Sequence, residues 1–527
     1  MAGMFERYEC VIIDASLFLF SSEHADLLEE LKESPLWAAG TFQAELAAYK
    51  QLLSKERRAF FSEQSGSLIR EKKIRTLRFQ NRTAPMDTWE MIREFSARKG
   101  HGHSAIVTGN RLLIERIILE NSPSIDADIF DLSQDTWIFK TEFSALRHSI
   151  EFHREENVPD VPSFDSDIGE GTRLFRCGGG TVTLRMPDGG RKNGGAESAI
   201  YLAFEQDDDR PLMAKIFKKK YLDAAKYLHL RQMVDVCANL EAPWVFFPTD
   251  IITLDERGEC PAGILEDYAE NSAALYNGDR SLRIKLSDNL KLCLKIVRQV
   301  AFLNCHGFFI SDYNVRNFAL CEEQPDHVLM FDSDSFGYGN FFGNIFAGNS
   351  TLSRNYDAHY KQDALTACDD ALYVFIFSRL SVGDAPIFLN QYTQARTFRY
   401  DKQNDKEFRR KYLFPERVWD VFESAFHGET AFSVPILLWA LSESLKYLEQ
   451  HPFEDFIYGE KMDGLKIGVT AAPHENASQK RSRSRNQKPR KRKLWWKFKS
   501  GKYNWILFAI AAASTVGLAA ILLFSGG

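Results

Sequence analysis

HGFFISDYNVRNFALCEEQPDHVLMFDSDSF, residues 306–336, carries the densest chemistry in this chain. Asp312 and Asn317 stand five positions apart in a loop between a helical run and an apolar strand. A carboxylate there can orient a hydroxyl nucleophile and take its proton, and an Asn side-chain oxygen can ligate a divalent metal. The apolar run VLMF then ends on Asp332, a placement that suits metal ligation at a cleft. A turn built on Asp-Ser-Asp is the structural alternative at the same place.

Upstream, Lys215 sits in LMAKIF, residues 212–217, flanked on both sides by apolar residues. In a strand such a lysine carries its tip to the surface or finds an anion, and nucleotide phosphate is one. Further upstream, Gly194-Gly195-Ala196-Glu197-Ser198-Ala199-Ile200-Tyr201 turns directly into an apolar strand. Small residues there let backbone N–H groups approach phosphate oxygens, although the clusters at Gly169–Gly171 and Gly178–Gly180 compete for the role. Near residue 265 the pattern changes from strand-rich to helix-rich, and a nucleotide cleft commonly lies between two such halves.

The lysine in A-K-I-F, then D-x-x-x-x-N, then an apolar strand ending in Asp together resemble the protein kinase signature set. More narrowly, H-G-x-x-x-x-D-x-N-x-x-N followed by F-D-S-D-S-F is similar to a bacterial eukaryotic-like protein kinase family in which D-x-D-S-F replaces D-F-G. The likeness covers roughly residues 190–390. It implies that Lys215 holds the α- and β-phosphates of ATP and that Asp312 is the catalytic aspartate. It further implies that Asn317 and Asp332 ligate Mg²⁺, while Gly194, Gly195 and Ser198 belong to the loop over the phosphates. The segment GILEDYAE, with Glu266 and Tyr268, takes the place of the hinge that holds adenine through backbone hydrogen bonds. The expected reaction is transfer of the γ-phosphoryl group to a Ser/Thr hydroxyl of a protein substrate, by positioning and electrostatics.

The chain departs from that pattern in three places. Ile310-Ser311 replaces the His-Arg that precedes the catalytic Asp, no A-P-E follows, and DAAKYLHLRQMVDVC offers no glutamate to pair with Lys215. A pseudokinase scaffold that binds ATP without transferring phosphate is therefore the alternative.

Residues 1–150 alternate strand and helix patterns: the strand Cys10–Ile13, amphipathic stretches at Phe42–Leu53 and Thr88–Ala97, the strand Ser104–Thr108, and a further strand in Ile125–Leu132. This alternation implies a parallel sheet. Asp14 ends the first strand, where such sheets place ligands. Together with SAIVTGN, the pattern resembles a PIN-like nuclease domain, with Asn110 where that family usually has Asp. Glu45, Asp126 and Asp128 are further candidate ligands, and a metal-dependent ribonuclease regulated by the kinase-like region is the third reading. Lys55 to Arg82 holds nine basic residues with Phe60, Phe61 and Phe79 among them, which suits nucleic acid or a solvated helix face.

From Trp505 to Phe524 the chain runs without a charge, long enough for a single transmembrane helix. Residues 480–502 before it hold 12 Lys or Arg and no acid, which places the bulk of the chain on the cytoplasmic side and suits anionic lipid head groups. Positions 1–479 then carry 54 basic against 72 acidic residues, disfavouring nonspecific nucleic-acid binding by the body of the protein. Eight scattered cysteines form no C-x-x-C pair and fit a reducing compartment.

The expected organisation is multidomain α/β plus α+β. A parallel-sheet PIN-like domain (1–150) and a linker (151–175) precede a two-lobed protein-kinase-like domain (176–458). A polar then basic juxtamembrane segment (459–504) leads to a C-terminal transmembrane helix (505–524).

Overall fold

CVII, residues Cys10–Ile13, is apolar at every position and wholly buried, which makes it an interior strand (β1) covered on both faces. Its neighbours are β2 (Leu36–Ala38) and β4 (Ser104–Thr108), with β3 (Arg75–Thr76), β5 (Ala127–Asp131) and β6 (Thr136–Ile138) outside them. The order is β3-β2-β1-β4-β5-β6, parallel throughout except for the antiparallel edge pair β5–β6. A computed structural model describes residues 3–451 apart from internal stretches, the longest being 152–167, 352–360 and 400–414. Residues 452–527, and with them the segments expected at 459–504 and 505–524, lie outside the described residues.

The next seven strands depart from expectation. They are β7 (Arg173–Arg176), β8 (Thr181–Arg185), β9 (Asn193–Gly194), β10 (Ser198–Glu205), β11 (Leu212–Phe217), β12 (Asp250–Thr253) and β13 (Pro261–Asp267). Six of them close on themselves in the order β11-β13-β12-β7-β8-β10, with β10 returning to β11, every pair antiparallel. The two-lobed kinase-like architecture is thereby corrected: the chain has mixed α/β content that includes a closed six-stranded antiparallel barrel. Among the described residues no helix is long and apolar enough to cross a membrane.

The hairpin β7–β8 makes the closure. It begins at Arg173, within the segment expected to be a linker. Its inward residues Leu174, Val182 and Leu184 join Tyr201, Ala203, Ala214, Ile216, Ile252 and Leu265 in the barrel interior. The turn of the hairpin uses Gly179 at φ 102° and Gly180 at φ 86°, a region that costs a side chain dearly and glycine little. The cluster at 178–180 is thus spent on the barrel. Gly263 answers a different need, because a Cβ there would stand 2.1 Å from the Lys215 carbonyl oxygen on the neighbouring strand.

The sheet and the helical half share one core. Val11 and Ile13 face the same cluster as Cys293, Leu294 and Val297 of helix Leu286–Cys305 and Leu437 and Leu441 of helix Val434–Gln450. Cys10 and Ile12 point the other way, onto Met91, Phe95 and Ile114. Helix Phe42–Leu52 lies between, and Tyr49 Oη accepts a hydrogen bond from Cys305 Sγ at 3.2 Å. Two charged pairs cross the same boundary: Glu115 with Lys361 at 2.8 Å and Arg116 with Asp369 at 2.6 Å, all but Arg116 below a tenth exposed.

Lys361→Ala leaves the buried Glu115 with the Arg111 guanidinium at 3.4 Å and is expected to cost about 1–3 kcal/mol in urea unfolding. Gly263→Ala is expected to cost about 1–3 kcal/mol by overpacking, read from the same titration.

Candidate functional site

Strand alternation decides what faces the cleft. In the β11–β13 register Lys215 lies opposite Ile264 and Met213 opposite Glu266. Since Ala214, Ile216 and Leu265 fill the barrel, Lys215 and Glu266 project from its outer face. There they meet segment 328–336 and helix Ala224–Cys237.

The Lys215 ammonium donates to both Asp332 and Asp334. Asp334 is also 3.1 Å from Lys226 Nζ, and Lys226 donates in addition to the Asp334 carbonyl oxygen. Asp334 is therefore the carboxylate partner that the helix failed to supply. The helix contributes a cation instead, positioned by Asp223, whose side chain caps the helix by accepting from Lys226 N at 2.8 Å. Burial alone would raise the Asp334 carboxyl, but the two ammonium groups outweigh it and hold the carboxyl well below the usual carboxylate range. Burial opposes the Lys215 charge too, yet Asp334 and Asp332 push it above the usual lysine value. Neither Lys226 nor Asp334 stood out in sequence; the second Asp of D-S-D was the available signal.

Asp332 adopts left-handed backbone angles, φ 60° and ψ 33°. Non-glycine residues pay for that conformation, and such outliers gather at functional sites. Asp312 stands nearby. Its Oδ2 accepts from Asn317 Nδ2 at 3.2 Å, while its buried Oδ1 has no partner among the described residues. Burial, reinforced by the charge of Asp332, pushes Asp312 up to about 6. Glu197, at the turn of the β9–β10 hairpin, adds by its charge to the rise of Asp312. Gly194 pairs with Ala199 in it, Ser198 is buried, and Gly195 lies outside the described residues.

Lys215, Asp312, Asn317 and Asp332 thus come together in one place, with Glu266 beside Lys215. Tyr268 is 40% exposed, just past the end of β13. The donor set fits Mg²⁺, which takes one or two carboxylates and completes its shell with water and phosphate oxygens. Among the described residues no three His, Cys, Asp or Glu converge to hold a metal unaided.

Asp14 belongs to a second place. Its Oδ1 accepts from Ser16 N at 3.1 Å and its Oδ2 from Thr108 Oγ1 at 2.9 Å. Asp14, Glu45, Asp87 and Asn110 line a cavity of about 60 Å³, closed on the other side by Asn304, Asp369 and Ser433 to Pro435. Ligand pockets of about 300 Å³ or more are usual, so this one admits no nucleotide. Asn110 caps helix Arg111–Glu120 by accepting from Leu113 N at 3.1 Å, which accounts for Asn at that position. Asp126 and Asp128 are not part of it. They lie level with Cys10, at the opposite edge of the sheet, where both bind His103, at 2.7 and 2.9 Å. The basic run is partly spent as well: Arg57 pairs with Glu241 at 2.7 Å, and Phe61 is buried.

The chain matches no protein-family model and no curated protein. The kinase and PIN resemblances rest on the motif residues alone.

Burial, with the charge of Asp14 adding to it, pushes Glu45 up to about 8, while Thr41 holds one of its oxygens at 2.7 Å. A carboxyl raised on folding favours the fold while protonated. Stability is therefore full below its ordinary value near 4.5 and declines as pH climbs towards about 8. Glu45→Gln is expected to raise the melting temperature at about pH 8 and to leave it nearly unchanged at about pH 4, in thermal denaturation followed by circular dichroism.

Proposed function

We propose that the cleft beside Lys215 binds Mg-ATP and transfers its γ-phosphoryl group to a hydroxyl of a protein Ser or Thr. The observation that carries this reading is the convergence of Lys215, Asp332, Asp312 and Asn317 at one face of the barrel.

Each residue has a task that follows from its surroundings. Asp334 and Lys226 fix Lys215 from behind, so its ammonium is preorganised for the α- and β-phosphates, and no reorganisation is needed when charge develops. Asn317 and Asp332 are the residues that would hold Mg²⁺, which supplies neutralisation of phosphate charge. Asp312, lifted towards neutral pH, orients the acceptor hydroxyl and takes its proton as the oxygen bonds to the γ-phosphorus and the bond to the β,γ-bridging oxygen breaks. Asn317 holds Asp312 in place by its amide.

One observation favours a nucleotide-binding scaffold instead: Lys215 already spends its ammonium on two carboxylates. The two readings part on a single measurement. With Mg-ATP labelled at the γ-phosphate, the full-length chain is expected to label itself or a generic protein acceptor. Asp312→Asn is expected to cut that labelling about 10²–10⁴-fold while leaving stabilisation by ATP in place. Equal labelling by the variant sinks the transferase reading; stabilisation without any labelling of the wild type selects the scaffold.

A further inference from the structure

Tyr338 and Phe341 close a turn between the candidate site and the N-terminal sheet. Tyr338 N donates to Phe341 O at 3.0 Å, and Phe341 N donates back to Tyr338 O at 3.1 Å. Just before the turn, Gly337 and Phe309 exchange hydrogen bonds of 2.7 and 3.0 Å, which tie it to the loop that carries Asp312. On the cleft side, the Phe341 ring stacks on His229 at 4.0 Å and lies 5.5 Å from Lys226 Nζ, the cation that shares Asp334 with Lys215. His229 is buried and follows Lys226 by one turn of helix Ala224–Cys237.

The other side of the turn is held from the N-terminal sheet unit. Lys361 Nζ donates to the Gly339 carbonyl oxygen at 2.6 Å and lies 2.8 Å from Glu115 Oε2, on helix Arg111–Glu120. Arg111 of that helix and Tyr338 of the turn both close on Gly307, where a Cβ would stand 3.1 Å from Arg111 Cγ and 3.4 Å from Tyr338 Cε2. The Lys361 side chain is 1% exposed, and burying a charge is costly unless it is paired. An apolar side chain could fill the space between the two helices without that cost, but it could not grip a backbone carbonyl.

We infer that Glu115 and Lys361 are positioning residues for the phosphate-binding lysine. Through the Gly339 carbonyl they set the turn, Phe341 of the turn sets helix Ala224–Cys237 at His229 and Lys226, and Lys226 with Asp334 sets the Lys215 ammonium. The N-terminal unit is then part of the phosphate-binding apparatus and not a module merely joined to it. This deepens the proposed nucleotide site and rests on it. Chains of packed rings and ion pairs carry such coupling because each link has few alternative arrangements. Arg116 and Asp369 supply the comparison. They join the same two helices at 2.6 Å, but they line the cavity beside Asp14.

The test measures Mg-ATP affinity of the full-length chain by calorimetry in wild type, Lys361→Met, Glu115→Gln and Arg116→Met. Methionine keeps the apolar stem of lysine and removes its ammonium. Lys361→Met is expected to weaken Mg-ATP about tenfold, with Glu115→Gln weaker in the same direction by about threefold and Arg116→Met within about twofold of wild type. Lys226→Met is expected to weaken Mg-ATP by itself, and adding Lys361→Met to it is expected to change the affinity by less than about twofold, because the link it acts through is already cut. Unchanged affinity in Lys361→Met overturns the inference and leaves the nucleotide site standing. Equal weakening by Arg116→Met does the same, since it makes the effect a general loosening of the boundary, and so does a full tenfold loss on top of Lys226→Met. Should Lys361→Met not fold, Glu115→Gln decides in its place, and an unchanged affinity there overturns the inference. Absence of Mg-ATP binding by the wild type overturns the proposed function and this inference together.

Discussion

The Asp334 carboxylate sits between two buried ammonium groups, and the candidate site depends on that arrangement. Lys215 belongs to the barrel, Lys226 to the helix after it, and Asp334 to the segment below, so one anion joins three separate pieces of chain. Any of the three charges left alone would be expensive in this environment, which makes their positions mutually enforcing. Neighbouring contacts continue the constraint: Ser333 Oγ donates to the Phe246 carbonyl at 2.6 Å and Ser311 Oγ to that of Ser335 at 2.7 Å. Held at Ser333 and Ser335, the chain has little freedom at Asp332 and accepts left-handed angles there.

The same arrangement explains what was hidden in the sequence. The kinase resemblance places the acid partner of Lys215 on the following helix. The acid came from 119 residues downstream instead, and no spacing rule within a helix could reveal it. Periodicity served far better for single elements. The strands around Cys10, Ser104 and Ala127 and the helix beginning at Thr88 lie where their patterns put them, since burial on both faces leaves an unbroken apolar run. Barrel closure was not legible. It depends on β7 meeting β12, far along the chain, and the glycines that allow the hairpin have the same composition as a phosphate loop.

Asp14 teaches a related lesson. Its position at a strand end was readable, and so was Glu45 beside it, but the rest of its company was not. Register places Asp126 and Asp128 at the far edge of the sheet, and two further carboxylates that join Asp14 and Glu45 in one cavity, Asp87 and Asp369, come from an N-terminal helix start and from the helical half. A strand-end aspartate marks a place; only topology decides which groups share it.

The common core has a consequence for how the chain is made. Tyr49 and the Cys305 thiol that bonds it are separated by 256 positions, and Leu437 closes the same cluster much later still. During synthesis the first sheet and the helix Phe42–Leu52 that partly covers its Val11 and Ile13 face therefore emerge with apolar surface open, and it stays so until the last described helix has left the ribosome. Contacts of such separation form slowly and leave apolar surface open in the meantime. The nascent chain has an interval in which a chaperone, or another copy of itself, competes for the surface that helix Val434–Gln450 eventually covers.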